Sequence, residues 1–414
     1  MNMLRRSTSV AIVVFALTLF ITGQVLAVGP GLGLGGNAKL HPYLDVEGRY
    51  NSNVNNLADN AKGDFILSFH PGLDLAVPAS FIDLRLDGKF GYSRYFGLED
   101  SRLKRNVLTG NAGLDLTINP KGAFQLKISD SFQRTEEPRD YVVSYLAGRY
   151  GNLAKAIVIV QPGGGALRIG AGYGFDFSYY DSDSGLKAAS NQSHNFYFDT
   201  RWRFLPKTSF MIHFNMALLD YPYKGANFQD IGGKPLNAWI GLSGLLTRSL
   251  AFNVHVGYGD SLLDKGTGFR NAIAEVEILQ RFPTNTTISG GYNRDFRAAH
   301  LFRYYGEDRV FLKISQSLLD DKLDLSAKVG YAYIAFGAPV QPTSGGTSPG
   351  SRYDSRVRIN ASINYDILKF LSLNVQYMLV MDITDYEWKD TTLNVTTPAK
   401  YNNHQAWLSI IFHY

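Results

Sequence analysis

Four arrangements in this 414-residue sequence have residue types and spacings that chemistry can use. Gly31, Gly33 and Gly36 match GxGxxG, a spacing that lets backbone close on a pyrophosphate when a strand precedes it and a helix follows. No helical pattern follows here, so no dinucleotide site is expected. Gly163-Gly164-Gly165 would cradle a phosphate if a helix N-terminus backed it. Strand-like segments flank it instead, and a hairpin turn is the expectation. The eight histidines (His41, His70, His194, His213, His255, His300, His404 and His413) show no metal-ligand spacing such as HExxH. Ser193 and His194 are adjacent, as two members of a hydrolase cluster, but no third partner can be placed. The sequence therefore predicts no catalytic residue, no metal and no cofactor.

What remains is charge set in a regular pattern. From Ile82 to Tyr92, Ile82, Leu84, Leu86, Phe90 and Tyr92 alternate with Asp83, Arg85, Asp87 and Lys89. Period 2 is the signature of a strand, and a face carrying four charges cannot lie in a protein core. Val357, Ile359, Ala361, Ile363 and Tyr365 repeat the contrast against Arg356, Arg358, Asn360 and Asn364. No 3.6 period occurs beyond the first thirty residues. No uncharged apolar run there approaches the roughly 18–20 residues of a spanning helix.

Alternation predicts about 18 strands: 41–52, 64–76, 81–94, 106–119, 123–134, 150–161, 167–180, 193–204, 208–220, 235–246, 250–259, 270–281, 286–296, 303–318, 323–335, 354–367, 371–382 and 401–414. In 150–161 the run Ile157, Val158, Ile159 and Val160 is apolar on both faces, so its register is open. Connections alternate between short turns, such as Pro120-Lys121-Gly122 and Leu205-Pro206-Lys207, and long polar stretches, such as Thr135 to Arg149 and Phe336 to Tyr353. The fold class expected is all-β: a transmembrane antiparallel up-and-down β-barrel, about 18 strands with 16 as the alternative, with short periplasmic turns and long extracellular loops. Closure satisfies every backbone polar group where no water is present. Phe and Tyr near strand ends, among them Tyr50, Phe65, Phe81, Tyr92, Phe124 and Tyr258, are expected to form interfacial girdles.

The two chain ends point the same way. Arg5 and Arg6, the apolar run Val10 to Ile21, and Val25-Leu26-Ala27 read as a cleaved export signal. The domain reading is a signal peptide over 1–27, a short flexible segment over 28–40 and one barrel domain over 41–414. Losing Arg5 and Arg6 takes the formal net charge from +5 to +3, so no polyanion-binding stripe is implied and nucleic acid is not an expected partner. With no cysteine, an exported chain rests on hydrogen-bonded backbone and burial. At the other end Leu408, Ile410, Phe412 and Tyr414 alternate along the last strand and finish on an aromatic residue. This resembles the signal by which the barrel-assembly machinery takes up outer-membrane barrels. The expected location is the bacterial outer membrane, with its lipid around the wall.

The strings HPYLDVEGRYNSNV at 41–54 and GDFILSFHPGLDL at 63–75 resemble the opening of the putative β-barrel porin 2 family and of barrels associated with exopolysaccharide export. Pro42, Tyr43, Tyr50, Asn53, Asp64 and Pro71-Gly72-Leu73 carry the likeness, and the QPGGGA turn at 161–166 extends it. The resemblance implies an 18-stranded barrel linked to polysaccharide secretion, with a polysaccharide substrate and periplasmic polysaccharide-export proteins as partners. It implies no catalytic residue.

A barrel of 16–18 strands is too wide for side chains to fill, so an aqueous lumen follows unless something plugs it. Parity assigns Arg49, Arg85, Lys89, Arg168, Arg201, Arg203, Trp239, Arg309, Lys313, Arg356 and Arg358 to the pore lining. Acidic residues, including Asp45, Glu47, Asp74, Asp87, Asp115 and Asp199, match the basic ones in number, so no strong ion filter is expected. Arg201 with Arg203, or Arg356 with Arg358, would track an anionic polymer, and Tyr180, Tyr197 and Trp239 would stack on sugar rings or on an infolded loop. Thr135 to Arg149 and Phe336 to Tyr353 are the loops expected to fold inward. The leading functional expectation is polysaccharide translocation; the alternative is a general diffusion porin for small hydrophilic solutes.

Overall fold

The computed structural model describes residues 31–97, 106–136, 148–181, 187–223, 232–264, 266–299, 302–338, 352–390 and 395–414. The expected export signal lies outside these residues. The wall begins with β1 (Ala38–Asn51), β2 (Asp64–Pro78), β3 (Ile82–Tyr95), β4 (Asn106–Ile118), β5 (Phe124–Thr135) and β6 (Arg149–Val160). It continues with β7 (Leu167–Tyr180), β8 (Asn191–Leu205), β9 (Thr208–Asp220), β10 (Leu236–Leu245), β11 (Leu250–Asp260) and β12 (Arg270–Arg281). The last six are β13 (Thr286–Ala298), β14 (Tyr304–Leu318), β15 (Leu323–Phe336), β16 (Tyr353–Leu368), β17 (Leu371–Ile383) and β18 (Tyr401–His413).

Each strand pairs antiparallel with the next, and β1 pairs with β18 from Tyr43↔His413 to Asn51↔Gln405, which closes an 18-stranded barrel. Closure leaves the wall without a free edge. The stretch 28–40, expected to be a flexible lead-in, is partly ordered: Leu32–Gly35 pairs back on the start of β1, so β1 begins at Ala38 and not at 41. The register of β6 is also fixed. Lys155, Ile157 and Ile159 share one face, and Val158 and Val160 stand exposed on the other.

The connection from β1 to β2 and every second one after it is long, and the others span at most six residues. The exception is Ala299 to Arg303, a five-residue connection on the long-loop side. At the opposite end the turns lean on left-handed backbone at Asn119 and Asn285, residues that tolerate it better than most. Pro71 sits inside β2 without an N–H to give, and the ladder to β3 skips from Phe69↔Tyr92 to Gly72↔Lys89.

Alternation sorts the two faces. On β14 Val310, Leu312 and Ile314 stand exposed, their cross-strand neighbours Val329 and Tyr331 continue that belt, and Ile278 on β12 extends it beyond Gly290. Asp308 and Gln316 bound it on the same face. The eight steps from Asp308 to Gln316 span roughly 27 Å along the strand at ~3.4 Å each. At a tilt of about 40° that is about 20 Å along the barrel axis, close to the ~25 Å apolar band of an outer-membrane barrel. Tyr50, Phe65, Phe81, Tyr92, Phe124 and Tyr258 are all exposed near strand ends. Among the described residues no helix is long and apolar enough to cross a membrane.

Candidate pore and its lining

Glycines shape the lumen wall where bulky side chains cross it. Trp239 of β10 faces Gly257 of β11, and His255 of β11 faces Gly241 of β10, so each ring lies over a neighbour with no side chain. The result is a stack of three rings. His213 and Trp239 lie 5.0 Å apart at 23°, and Trp239 and His255 lie 4.4 Å apart at 18°. Asp199 anchors the far end through His213 Nδ1 at 2.6 Å. Both faces of Trp239 are thus covered, and the indole offers no platform for a sugar ring. Lys155 likewise covers Tyr197, its Nζ 3.8 Å from the ring centroid. Gly257→Val is expected to destabilise the barrel by about 1–3 kcal/mol, because a Cβ there would lie 2.4 Å from Trp239 Cβ and 2.1 Å from the Ala238 carbonyl oxygen. Urea unfolding followed by Trp fluorescence reads the loss, and an unchanged midpoint would contradict the stack.

The predicted lining residues share the inner face but not one environment. Arg49, Lys89, Trp239, Arg309, Lys313 and Arg358 stand on the inner faces of β1, β3, β10, β14 and β16. Asp45 sits between His70 and Lys89, with His70 Nδ1 at 3.5 Å and Lys89 Nζ at 3.6 Å. Arg85 stands directly opposite Asp115, whose carboxylate also meets Lys127 at 3.7 Å. Asp74 and Asp87 are directly opposed on β2 and β3. On the other side Lys313 and Lys328 are directly opposed on β14 and β15, and Arg168 and Arg201 on β7 and β8. Equal totals of charge therefore conceal an uneven distribution: an acid-rich arc on β1 to β4, and basic patches on β7 to β8 and β14 to β16.

The two arginine pairs read from the sequence have different fates. Arg201 and Arg203 stay exposed and are joined by Arg168 around one cavity. Arg356 is buried and ion-paired with Asp382, which removes it from the water-facing lining and leaves Arg358 without its expected companion. Beside it Arg352, 1% exposed, grips Asp354 through Nε and Nη2 at 2.6–3.0 Å. The rings of Phe336, Tyr386 and Phe302 surround its guanidinium, with centroids 4.5, 5.5 and 5.8 Å away.

That knot is where loops enter the lumen. Ala299, Phe302 and Tyr386 pack on Tyr305, Ala332, Ile334 and Phe336, all buried. Ala332, Ile334 and Phe336 are on the inner face of β15, opposite the exposed Val329, Tyr331 and Tyr333. Burial pushes the Tyr386 phenol above its ordinary pKa. Of the loops expected to fold inward, 137–147 and 339–351 lie outside the described residues. Among the described residues, those that do so are Ala299 and Phe302 of the short β13–β14 connection, Tyr386 at the start of the β17–β18 connection and Val54 of the β1–β2 connection. In the last, Val54 packs with Ile66, Tyr95 and Val107. Phe302, Tyr386 and Val54 are apolar side chains in polar loops, and that was the available sequence signal.

The residues that carry the family likeness have structural work at the barrel seam. Asn53 Nδ2 donates to the carbonyls of Leu57 at 2.8 Å and Asn402 at 2.9 Å, and Asn403 Nδ2 donates to the Asn53 carbonyl at 2.9 Å. These bonds tie the first connection to the last strand. Asp64 Oδ1 accepts from the backbone N–H groups of Phe96 and Gly97 at 3.0 and 2.6 Å. Ser193 and His194 lie on opposite faces, and His194 pairs outside with the Tyr173 hydroxyl at 2.6 Å, so they form no dyad. Among the described residues no cluster of three or more His, Asp or Glu is placed to hold a metal.

No protein-family description matches this chain, and no curated protein sequence does. Solved barrels do. OccK2 (OpdF) from Pseudomonas aeruginosa, in complex with glucuronate, superposes with a TM-score of 0.51 at 12% identity, covering 91% of this chain and 98% of that one. The outer membrane protein OpdK from Pseudomonas aeruginosa gives 0.49 at 10% identity, over 91% and 99%. OccAB3 from Acinetobacter baumannii gives 0.48 at 9% identity, over 91% and 100%. The OccK2 superposition identifies the same closed-barrel fold.

Proposed function

We propose that this protein is an outer-membrane channel through which small hydrophilic solutes diffuse. The carrying observation is the closed wall with an apolar belt outside and a charged, cavity-bearing face inside. One cavity of about 670 Å³ is lined by Asp45, Glu47, Lys89, Asp324, Lys328 and Asp366 among others. Such a wall has its lowest free energy with lipid outside and water within. In this reading the chain is exported through its N-terminal signal. Leu408, Ile410 and Phe412, exposed on the outer face of β18, and the exposed Tyr414 just beyond it serve uptake by the barrel-assembly machinery.

Small solutes are better supported than a polysaccharide chain. The apolar residues Ala299, Phe302 and Tyr386 occupy part of the loop-side mouth, and the rings that would have stacked on a polymer are covered. Glucuronate, present with OccK2, is a single sugar unit and supports the smaller size class. In planar bilayers the purified protein is expected to give stepwise conductance, and proteoliposomes should swell in mono- and disaccharides faster than in longer oligosaccharides. Absence of conductance steps would remove this reading. Loss of surface polysaccharide on deleting the gene would restore translocation as the better one.

A further inference from the structure

We propose that the turn-side end of the lumen holds a binding site for a phosphate-type oxyanion, formed by Arg168, Arg201 and Arg203. Arg168 on β7 is directly opposite Arg201 on β8, and Arg203 follows two residues later on the same face. Like charges directly opposed across a strand pair are destabilising, and several other lumen cations have acidic neighbours. Lys89 has Asp45, Lys127 has Asp115, Arg309 has Glu307 and Arg356 has Asp382. Among the described residues the three arginines make no ion pair. Asp199, the next carboxylate on the inner face of β8, is held by His213 at 2.6 Å.

The arginines line a single cavity of about 350 Å³ completed by Gln161, Gly165, Ala166 and Ser209, with no carboxylate in it. Its edge is the Gly163-Gly164-Gly165 turn, whose residues all have left-handed φ of 64, 75 and 83°. The Arg203 N–H donates to the Ala166 carbonyl at 2.7 Å, which fixes the turn against β8. Guanidinium groups match oxyanions with two parallel donors each. Three of them suit a group carrying about −1.5 to −2 charge, as a phosphate monoester does, better than a single carboxylate. The Gln161 amide and the Ser209 hydroxyl add uncharged donors. The cavity is on the lumen face, so the ligand is a dissolved phosphate and not a lipid headgroup. Binding stands by itself; its role in permeation rests on the channel reading.

Calorimetric titration of the detergent-purified protein with sodium phosphate and glycerol phosphate tests the site, with sodium chloride and sodium acetate at matched ionic strength beside them. Saturable phosphate binding is expected, weakened at least tenfold by Arg203→Gln alone and at least a hundredfold by R168Q/R201Q/R203Q. Unchanged binding in the triple variant overturns the site, and so does an equal response to chloride or acetate. Arg203 is exposed at a strand end, so its single variant tests the proposal should the triple variant not fold. Phosphatidylglycerol micelles competing as strongly as phosphate would overturn the dissolved ligand. Phosphate binding without conductance would sink only the channel reading, and conductance without phosphate binding only this site.

Discussion

Leu312→Arg is expected to lower the stability of the folded barrel by about 2–4 kcal/mol, while Ser315→Glu, three residues on, changes it by no more than ~0.5 kcal/mol. Leu312 is 54% exposed midway between the outward Asp308 and Gln316, so its side chain lies near the centre of the apolar belt. In water such a belt would be an exposed patch far beyond the few hundred Å² that soluble proteins carry. In lipid it is a solvated surface, and a guanidinium placed there has no partner. Ser315 stands on the inner face between Thr287 and Ser326, with Lys313 two residues away to favour an acid. Urea unfolding of both variants in lipid vesicles reads the difference. Equal stabilities would mean that the outer face of β14 does not meet hydrocarbon, and the membrane reading would fall with it.

That experiment turns on parity, and parity is what the sequence expresses most clearly. Each wall strand was legible because its two faces meet different solvents, which forces residue types apart at period 2. β6 was ambiguous for a local reason. Ile157 and Ile159 face inward although apolar, because Gly170 and Gly172 on β7 leave room for Ile157 to lie flat against the wall. The glycine-rich strand was visible; its meaning depended on a pairing that alternation does not encode. Period 2 gives a side chain's face but not its height or its cross-strand neighbour. Arg356 and Arg358 consequently looked equivalent, though one is buried against Asp382 and the other is exposed. The ring stack through Trp239 was hidden for the same reason, since His213, Trp239 and His255 come from three strands. Loop length alone does not pick out the described segments that leave water for the inner wall: Val54, Phe302 and Tyr386 do so through apolar content.

Phe302 and Tyr386 are held against the inner wall by one side chain, and its removal should have the largest effect on what passes. Arg352→Ala leaves Asp354, which is fully buried, without its bidentate partner, a change of about 3–5 kcal/mol. It also removes the cation over which Phe302, Phe336 and Tyr386 are arranged. The wall itself has its own ladder of backbone bonds on both sides of β15 and β16, so the loss falls on the mouth. Ala299, Phe302 and Tyr386 should then leave the lumen, raising unitary conductance and admitting longer oligosaccharides in swelling assays. Arg352→Lys keeps the charge but not the planar fork or its stacking, and should fall between wild type and Arg352→Ala. Arg358→Ala, exposed and outside the knot, should leave the size limit where it was. If Arg352→Ala folds and passes the same solutes at the same conductance, the apolar knot does not set the width of the mouth, and the constriction must lie deeper, among the charged arcs of the wall.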